Sequence, residues 1–279
     1  MIPFDFTYCR PNTLAEAIKA HTQLTSEGKN AVYYAGGSEI ITMCRAGSIR
    51  PDAVIDIKTI PECRELKVDD RALHIGAACT LNQIKESKLF PLLGLACGRI
   101  ADHTNQCRIT LGGNLCGTII YRETSLPLLL ADAKITLCGP GGCRTLPFRD
   151  AFWRRMRLDP GEMVVTVHIP AWCLSARHFH AKKTANEKID YPLVSICALF
   201  RGDYLGIAFS GVCSFPFRSG KIEAVLNDRT QTPQARAQKA AELLPEPAHT
   251  DAEASGEYRL FVLKNTLTAL LEDWENGAI

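Results

Sequence analysis

The sequence predicts an α+β fold assembled from three stretches of different texture, and three observations carry that expectation. Up to Lys58, short β-favouring apolar runs alternate with helix-like segments, the order of a small parallel unit. From Leu66 the apolar runs come in pairs across tight turns, as in hairpins. Beginning near Arg177, three successive strand-like runs precede two long helical segments, the order of an antiparallel sheet covered by helices. A chain of 279 residues can bury a sizeable core as one large domain or two modest ones. Apolar residues make up 46% and charged residues 22%, so the chain is globular in composition. The 32 basic and 30 acidic residues leave a net charge of +2, which gives no reason to expect nucleic acid or an anionic membrane as partner.

Taken in order, Thr13 reads as an N-cap, with Glu16 completing a capping box. Leu14, Ala17, Ile18 and His21 share the face of the helix that follows, which ends at Glu27-Gly28-Lys29. A strand over 31–35 leads to Gly36-Gly37, Ser38 caps the next helix, and Glu39 sits in its first turn. Residues 54–57 form a buried strand. Residues 66–68 and 72–76 pair as a hairpin over Asp69-Asp70-Arg71, Thr80 caps a helix over 81–86, and 91–100 reads as another. The segment 102–108 is polar and irregular. Ser125 is the expected cap of a helix over 126–132, with Pro127 in its first turn. Residues 134–138 and 143–147 pair across Gly139-Pro140-Gly141-Gly142, and 163–169 is a further strand. Strands over 178–183, 193–200 and 205–212 and helices over 234–244 and 257–274 complete the chain.

Two stretches carry the chemistry. In Ala35-Gly36-Gly37-Ser38-Glu39-Ile40 a glycine pair lies between a strand and a helix start, an arrangement that offers several N–H groups to an anion. Thr110-Leu111-Gly112-Gly113-Asn114 repeats the design, with short polar side chains flanking two residues that lack Cβ. Two such turns in one chain suggest a dinucleotide held between them. Glu123 can accept from ribose hydroxyls, or serve as a plain first-turn carboxylate.

Other features have narrower readings. No G-x-G-x-x-G, G-x-x-x-x-G-K-[ST], G-x-S-x-G or H-E-x-x-H is present. The twelve cysteines include no C-x-x-C pair, so an iron–sulfur or zinc site lacks its ligand spacing. They read as mostly buried thiols in a reducing compartment. His178 and His180 alternate on a strand and can face one metal, with no third ligand nearby. Arg154, Arg155 and Arg157 form a solvated loop or a surface for an acidic partner. The N-terminus lacks the pattern of a secretory leader, and no apolar run approaches a membrane span. A cytoplasmic protein is expected.

The two motifs A-G-G-S-E-I and T-L-G-G-N, in this order and spacing, resemble the medium, FAD-binding subunit of the molybdenum hydroxylases. That group includes the xanthine, carbon monoxide and nicotinate dehydrogenases. The resemblance extends to Arg10-Pro11, residues 54–57, Leu73-His74-Ile75-Gly76-Ala77, 127–133 and Gly161-Glu162 onward, and so to nearly the whole chain.

The resemblance implies an FAD-binding fold of the PCMH and CO dehydrogenase flavoprotein type. Its FAD-binding domain would span 1–175, in subdomains of about 1–58 and 59–175, followed by a C-terminal domain over 176–279. Tyr33, Tyr34, Ala35, Gly36, Gly37, Ser38, Glu39 and Ile40 would wrap the diphosphate and approach the flavin. Ile100, Ala101, Thr110, Gly113, Asn114 and Thr118 would form the second wall. Glu123 would lie on the adenosine side, Met163 and Val164 against the adenine, and Lys182 near the flavin ring. The family's Q-I-R-N is replaced here by Thr104-Asn105-Gln106-Cys107, with Arg108 two positions later than the usual arginine. The implied function is that of an FAD-dependent oxidoreductase subunit. Electrons would come from a molybdopterin-binding large subunit through a 2Fe-2S small subunit and pass by way of FAD to NAD+ or another acceptor. A flavin-free assembly subunit and a stand-alone FAD oxidoreductase are the alternatives.

Overall fold

The computed structural model of the chain describes residues 2–279. Its first unit holds β1 (Thr7–Cys9), α1 (Leu14–Ser26), β2 (Ala31–Tyr34), α2 (Ser38–Ala46) and β3 (Ala53–Asp56). β3 lies in the middle, parallel to both neighbours, because the two helices supply the crossovers that parallel pairing requires. Thr13 Oγ1 accepts from Glu16 N at 3.2 Å, whereas the Glu16 carboxylate accepts from Asn12 N at 2.8 Å, so the expected box closes one residue early. The cap of α2 is Gly37, not Ser38. Gly37 takes the left-handed conformation (φ 72°), which turns the chain so sharply out of β2 that Ser38 is already helical.

The second unit runs through α3 (Pro61–Arg64), β4 (Leu66–Val68), β5 (Ala72–Gly76), α4 (Leu81–Ser87), α5 (Pro91–Cys97), α6 (His103–Gln106), α7 (Leu111–Cys116) and α8 (Ser125–Leu130). It continues with β6 (Lys134–Gly139), β7 (Gly142–Pro147), α9 (Phe148–Ala151), β8 (Phe152–Trp153), β9 (Arg155–Met156) and β10 (Met163–Pro170). Five of these strands form an antiparallel sheet in the order β4-β5-β10-β6-β7. The segment 102–108, expected to be irregular, contains α6, capped by Asp102, whose Oδ1 accepts from Asn105 N at 2.9 Å. Ser125, expected as a cap, is the buried first residue of α8, and Thr124 stands at the cap position. Cys138 and Cys143 are opposite one another in the β6–β7 register and form a disulfide, where free thiols were expected. The other ten cysteines are free, seven of them buried.

The third unit is an antiparallel sheet of β11 (His178–Thr184), β12 (Pro192–Arg201), β13 (Tyr204–Ser210) and β14 (Phe217–Arg218), followed by α10 (Gly220–Leu226), α11 (Pro233–Glu242) and α12 (Gly256–Glu275). Both faces of this sheet are covered. Cys197 and Leu199 join the core of the first two units, while Ile196, Ala198 and Phe200 join a second core under the C-terminal helices. α8, buried throughout, packs against β12 and β13. Arg259 ties α12 to the sheet by donating to the carbonyls of Pro192 and Leu193 at 3.0 Å and of Gly211 at 2.9 Å. Among the described residues no helix is long and apolar enough to cross a membrane.

Burial holds two sheet histidines neutral. His180 is pushed down to about 4 by burial, with Arg99, Lys182 and His178 adding to the effect. His168, joined to His74 at 2.7 Å, is lowered by burial and by that neighbour. In the unfolded chain both bind a proton as the pH falls through about 6.5, before the folded chain does, so stability is lost on acidification. We expect thermal unfolding midpoints to fall between pH 6.5 and 4, and His180→Leu to remove about 1–3 kcal/mol of that loss. Equal pH dependence in variant and wild type would refute the assignment to His180.

Candidate functional site

The strand β2 delivers the chain to Gly36, whose backbone lies against the segment leading into α7. A Cβ built on Gly36 would lie 1.9 Å from the Arg108 carbonyl oxygen, so no side chain fits. The second motif is not a turn but the start of α7. Thr110 caps it, accepting from Gly113 N at 3.2 Å, and Gly112 lies against Ala77, where a Cβ would come within 2.8 Å. The two motifs are then joined by a side chain. Glu39 Oε1 accepts from Thr118 N at 2.6 Å and from the Thr118 hydroxyl, across 79 residues of sequence.

Between them opens a cleft of about 1030 Å³, at the upper end of the size range of small-molecule sites. All the residues expected at a cofactor line it: Tyr33 through Ile40, Ile100, Ala101, Thr110, Gly113, Asn114, Thr118, Glu123, Met163, Val164 and Lys182. The first intrahelical bond of α2 runs from Ile41 N to the Gly37 carbonyl at 2.8 Å, so the N–H groups before it are left at the open end of the helix. Behind this loop, Lys58 donates to the Ala35 carbonyl at 3.0 Å and to Asp56 at 2.8 Å, and sits over the Tyr34 ring. Tyr33 stacks on His21 and donates to the Gly161 carbonyl at 2.9 Å.

The replaced segment Thr104–Cys107 acts from outside the cleft. Gln106 is buried and donates to the Ala101 carbonyl at 2.9 Å and the Gly98 carbonyl at 3.2 Å. It thereby holds Ala101 at φ 52°, a left-handed conformation costly for any residue with a Cβ. Arg108 is exposed and contributes its carbonyl to the Gly36 contact rather than a side chain to the cleft.

Lys182 and Glu123 meet as a buried ion pair at 3.0 Å, with Lys182 also donating to the Arg99 carbonyl at 2.7 Å. Burial pushes the Glu123 carboxyl up, opposed by the Lys182 charge. Its second oxygen, Oε1, is buried without a partner. Lys182 reaches the cleft because β11 places it opposite Ser195, on the sheet face whose Cys197 and Leu199 join the first core.

Sequence reasoning missed the apolar and aromatic lining from Ile57, Ala77, Ile119, Ile189 and Tyr191, and also missed Arg122. Tyr191 stacks on Tyr121 at 4.8 Å. Arg122 is buried and donates to the carbonyls of Gly117 at 2.8 Å, Thr118 at 3.3 Å and Arg154 at 2.9 Å. No motif marks it. His178 and His180 lie outside the cleft, and the described residues contain no cluster suited to a metal ion. Arg154 pairs with Glu246 at 3.5 Å and stacks on Phe215, and it is not among the residues lining the cleft.

Comparison with known proteins gives a consistent set of matches. A family model described as the FAD binding domain in molybdopterin dehydrogenase matches residues 4–172. A xanthine dehydrogenase FAD-binding subunit of Escherichia coli O157:H7 is 26% identical, over 97% of this chain and 96% of its own. The carbon monoxide dehydrogenase medium chain of Hydrogenophaga pseudoflava is 31% identical over 62% of this chain and 61% of its own. A solved structure of carbon monoxide dehydrogenase from the same organism superposes with a TM-score of 0.85 at 26% identity, covering 96% of each chain.

The ion pair makes a prediction about stability. Lys182→Met leaves the Glu123 carboxylate buried without its cation and should cost about 3–5 kcal/mol in urea unfolding. Lys182→Met combined with Glu123→Leu should recover most of that loss. A double variant as unstable as the single one would show that the pair is not the source of the cost.

Proposed function

We propose a place for this chain in an electron-transfer path, from a plain premise: it belongs to the FAD-binding domain family of the molybdopterin dehydrogenases, as an FAD-binding oxidoreductase subunit. In this reading residues 1–58 and 59–175 grip the cofactor, and 176–279 close the cleft from the third side. Electrons arrive from an iron–sulfur chain served by a molybdenum-bearing large chain, and leave to NAD+ or another acceptor. That several relatives are named as medium chains supports an assembly of this kind.

The single observation that carries the proposal is that both glycine motifs border one open cleft, which the protein's own side chains do not fill. The donor set fits FAD. N–H groups at the open end of α2, together with the positive end of its dipole, suit the diphosphate. Glu123 Oε1, buried and unpaired, suits a ribose hydroxyl or a ring N–H. Met163 and Val164 offer apolar surface for the adenine, and Ile100 and Ala101 a wall for the ring system. Lys182, already paired with Glu123, brings its charge to the cleft largely neutralised. Bound FAD supplies the redox chemistry; the residues of this chain hold it, orient it and exclude water.

The purified chain should show a flavin absorbance spectrum, or acquire one on reconstitution with FAD. Glu39→Ala removes the acceptor that Thr118 uses to bridge the motifs, and hydrogen bonds to a charged group contribute about 1.5–3 kcal/mol. FAD affinity by fluorescence titration should therefore fall roughly ten- to a hundredfold. A wild-type protein that cannot be reconstituted would overturn the reading.

A further inference from the structure

The hairpin of β6 and β7 packs behind one wall of the cleft, and it carries the one disulfide among the described residues. Cys138 and Cys143 face each other in the register, next to the Gly139–Gly142 pair that bounds the Pro140-Gly141 turn. Three of the four tip residues are glycines, so the turn has almost no side chain with which to hold its own shape. It nevertheless supports the cleft. A Cβ on Gly139 would come within 2.8 Å of Glu162 Cγ, and one on Gly161 within 3.1 Å of the Pro140 ring. Arg144, next to Cys143, donates to both carboxylate oxygens of Glu162, at 2.7 and 2.8 Å. Cys138 is also the register partner of Met163 on β10. Glu162, Met163 and Val164 line the cleft, and Tyr33, another lining residue, donates to the Gly161 carbonyl.

We propose that the Cys138–Cys143 pair is an exchange site for a low-molecular-weight thiol, and that its state sets how firmly the 161–164 wall of the cleft is held. The inference rests on the function proposed above only in taking that wall as part of the cofactor site. Accessibility selects the sulfur. Cys143 is exposed and Cys138 is buried, so an incoming thiolate attacks Cys143 Sγ. The Cys138–Cys143 bond breaks as the mixed disulfide forms, and Cys138 leaves as a thiolate. A second small thiol attacks the small-thiol sulfur of that mixed disulfide, which releases Cys143 and a small disulfide. The pair gains two electrons, two small thiols lose them, and their protons end on the two cysteines. Closure runs the same steps in reverse. The rest of the chain marks the bond as exchangeable rather than as part of a disulfide framework. Ten other cysteines are free, seven of them buried, and a single bond in a thiol-rich chain is the pattern of redox-responsive pairs. The β6–β7 ladder and the Arg144–Glu162 fork do not depend on the bond, so opening it loosens the tip without unfolding the hairpin.

The test equilibrates the full chain in glutathione buffers of graded reduced-to-oxidised ratio, quenches with iodoacetamide, and counts labels at Cys138 and Cys143 by mass spectrometry. The pair should open and close again over that range in the folded protein, with the seven buried free thiols unlabelled. Amide hydrogen exchange of residues 159–164, measured without flavin, should quicken when the pair is open. If the wall is then in place for roughly a third to a tenth of the time, FAD affinity in the same buffers should fall about three- to tenfold. Cys143→Ser should behave as the open wild type at every ratio, and the wild-type series decides alone should that variant fail to fold. Labels at both positions at every ratio, or a bond that no ratio opens, overturn the exchange site and leave the function standing. An exchanging pair with unchanged amide protection at 159–164, or with unchanged FAD affinity, overturns its link to the cleft. A chain whose thiols and amides respond but which binds no FAD in either state overturns the function and leaves the exchange site.

Discussion

The architecture depends on a close approach between two backbones. Gly36 lies against the Arg108 carbonyl so tightly that a methyl group would overlap it, and the carboxylate of the next turn, Glu39, reaches across to Thr118. These contacts fix the first unit against the second along one line. The cleft is what remains open on one side of that line. Its walls therefore keep their spacing only while both glycine motifs pack as they do. Residues with side chains at Gly36 would separate the units instead of merely crowding a ligand.

That dependence explains which parts of the site were legible in the sequence. A glycine pair after a β-favouring run and before a helix is a local signal, and so is T-L-G-G-N. The resemblance carried by the two motifs extended to Glu123, Met163, Val164 and Lys182, all of which line the cleft. What could not be read was the local geometry around them. Ser38 reads as a cap because its side chain is a good acceptor. Gly37 takes the position because only the left-handed turn brings α2 onto the cleft. Likewise α6 and α7 are too short to show a helical period, so 102–108 read as irregular and 110–114 as a turn. The strand β1 has three residues and left no trace in the pattern.

A second class of illegible features consists of pairings between distant segments. The sequence offers Lys182 as a cation and Glu123 as an acceptor; only the fold shows them neutralising one another inside the protein. Gln106 stands where the family pattern is broken, and its contribution is to hold the strained Ala101 from behind. The departure in 104–107 is thus absorbed by the wall of the cleft without placing a side chain in it. The Cys138–Cys143 bond follows from a hairpin register that was itself legible, since the strands on either side of the glycine-rich turn were expected and only their pairing brings the sulfurs together.

The third unit shows why the cleft has a third wall. A sheet with one face on the C-terminal helices and the other on the first core cannot move independently of either. Its strand β11 therefore carries Lys182 to a fixed place, and the bond from Lys182 Nζ to the Arg99 carbonyl and the contact with Glu123 hold it there from the second unit. Arg122 does the same on the opposite flank, with three carbonyls as acceptors and no carboxylate. A guanidinium satisfied only by carbonyls retains its charge, whereas the ammonium of Lys182 has a carboxylate to offset it. The two cations bordering the cleft therefore differ in kind: Lys182 is paired with a carboxylate inside the fold, and Arg122 is anchored by main-chain carbonyls.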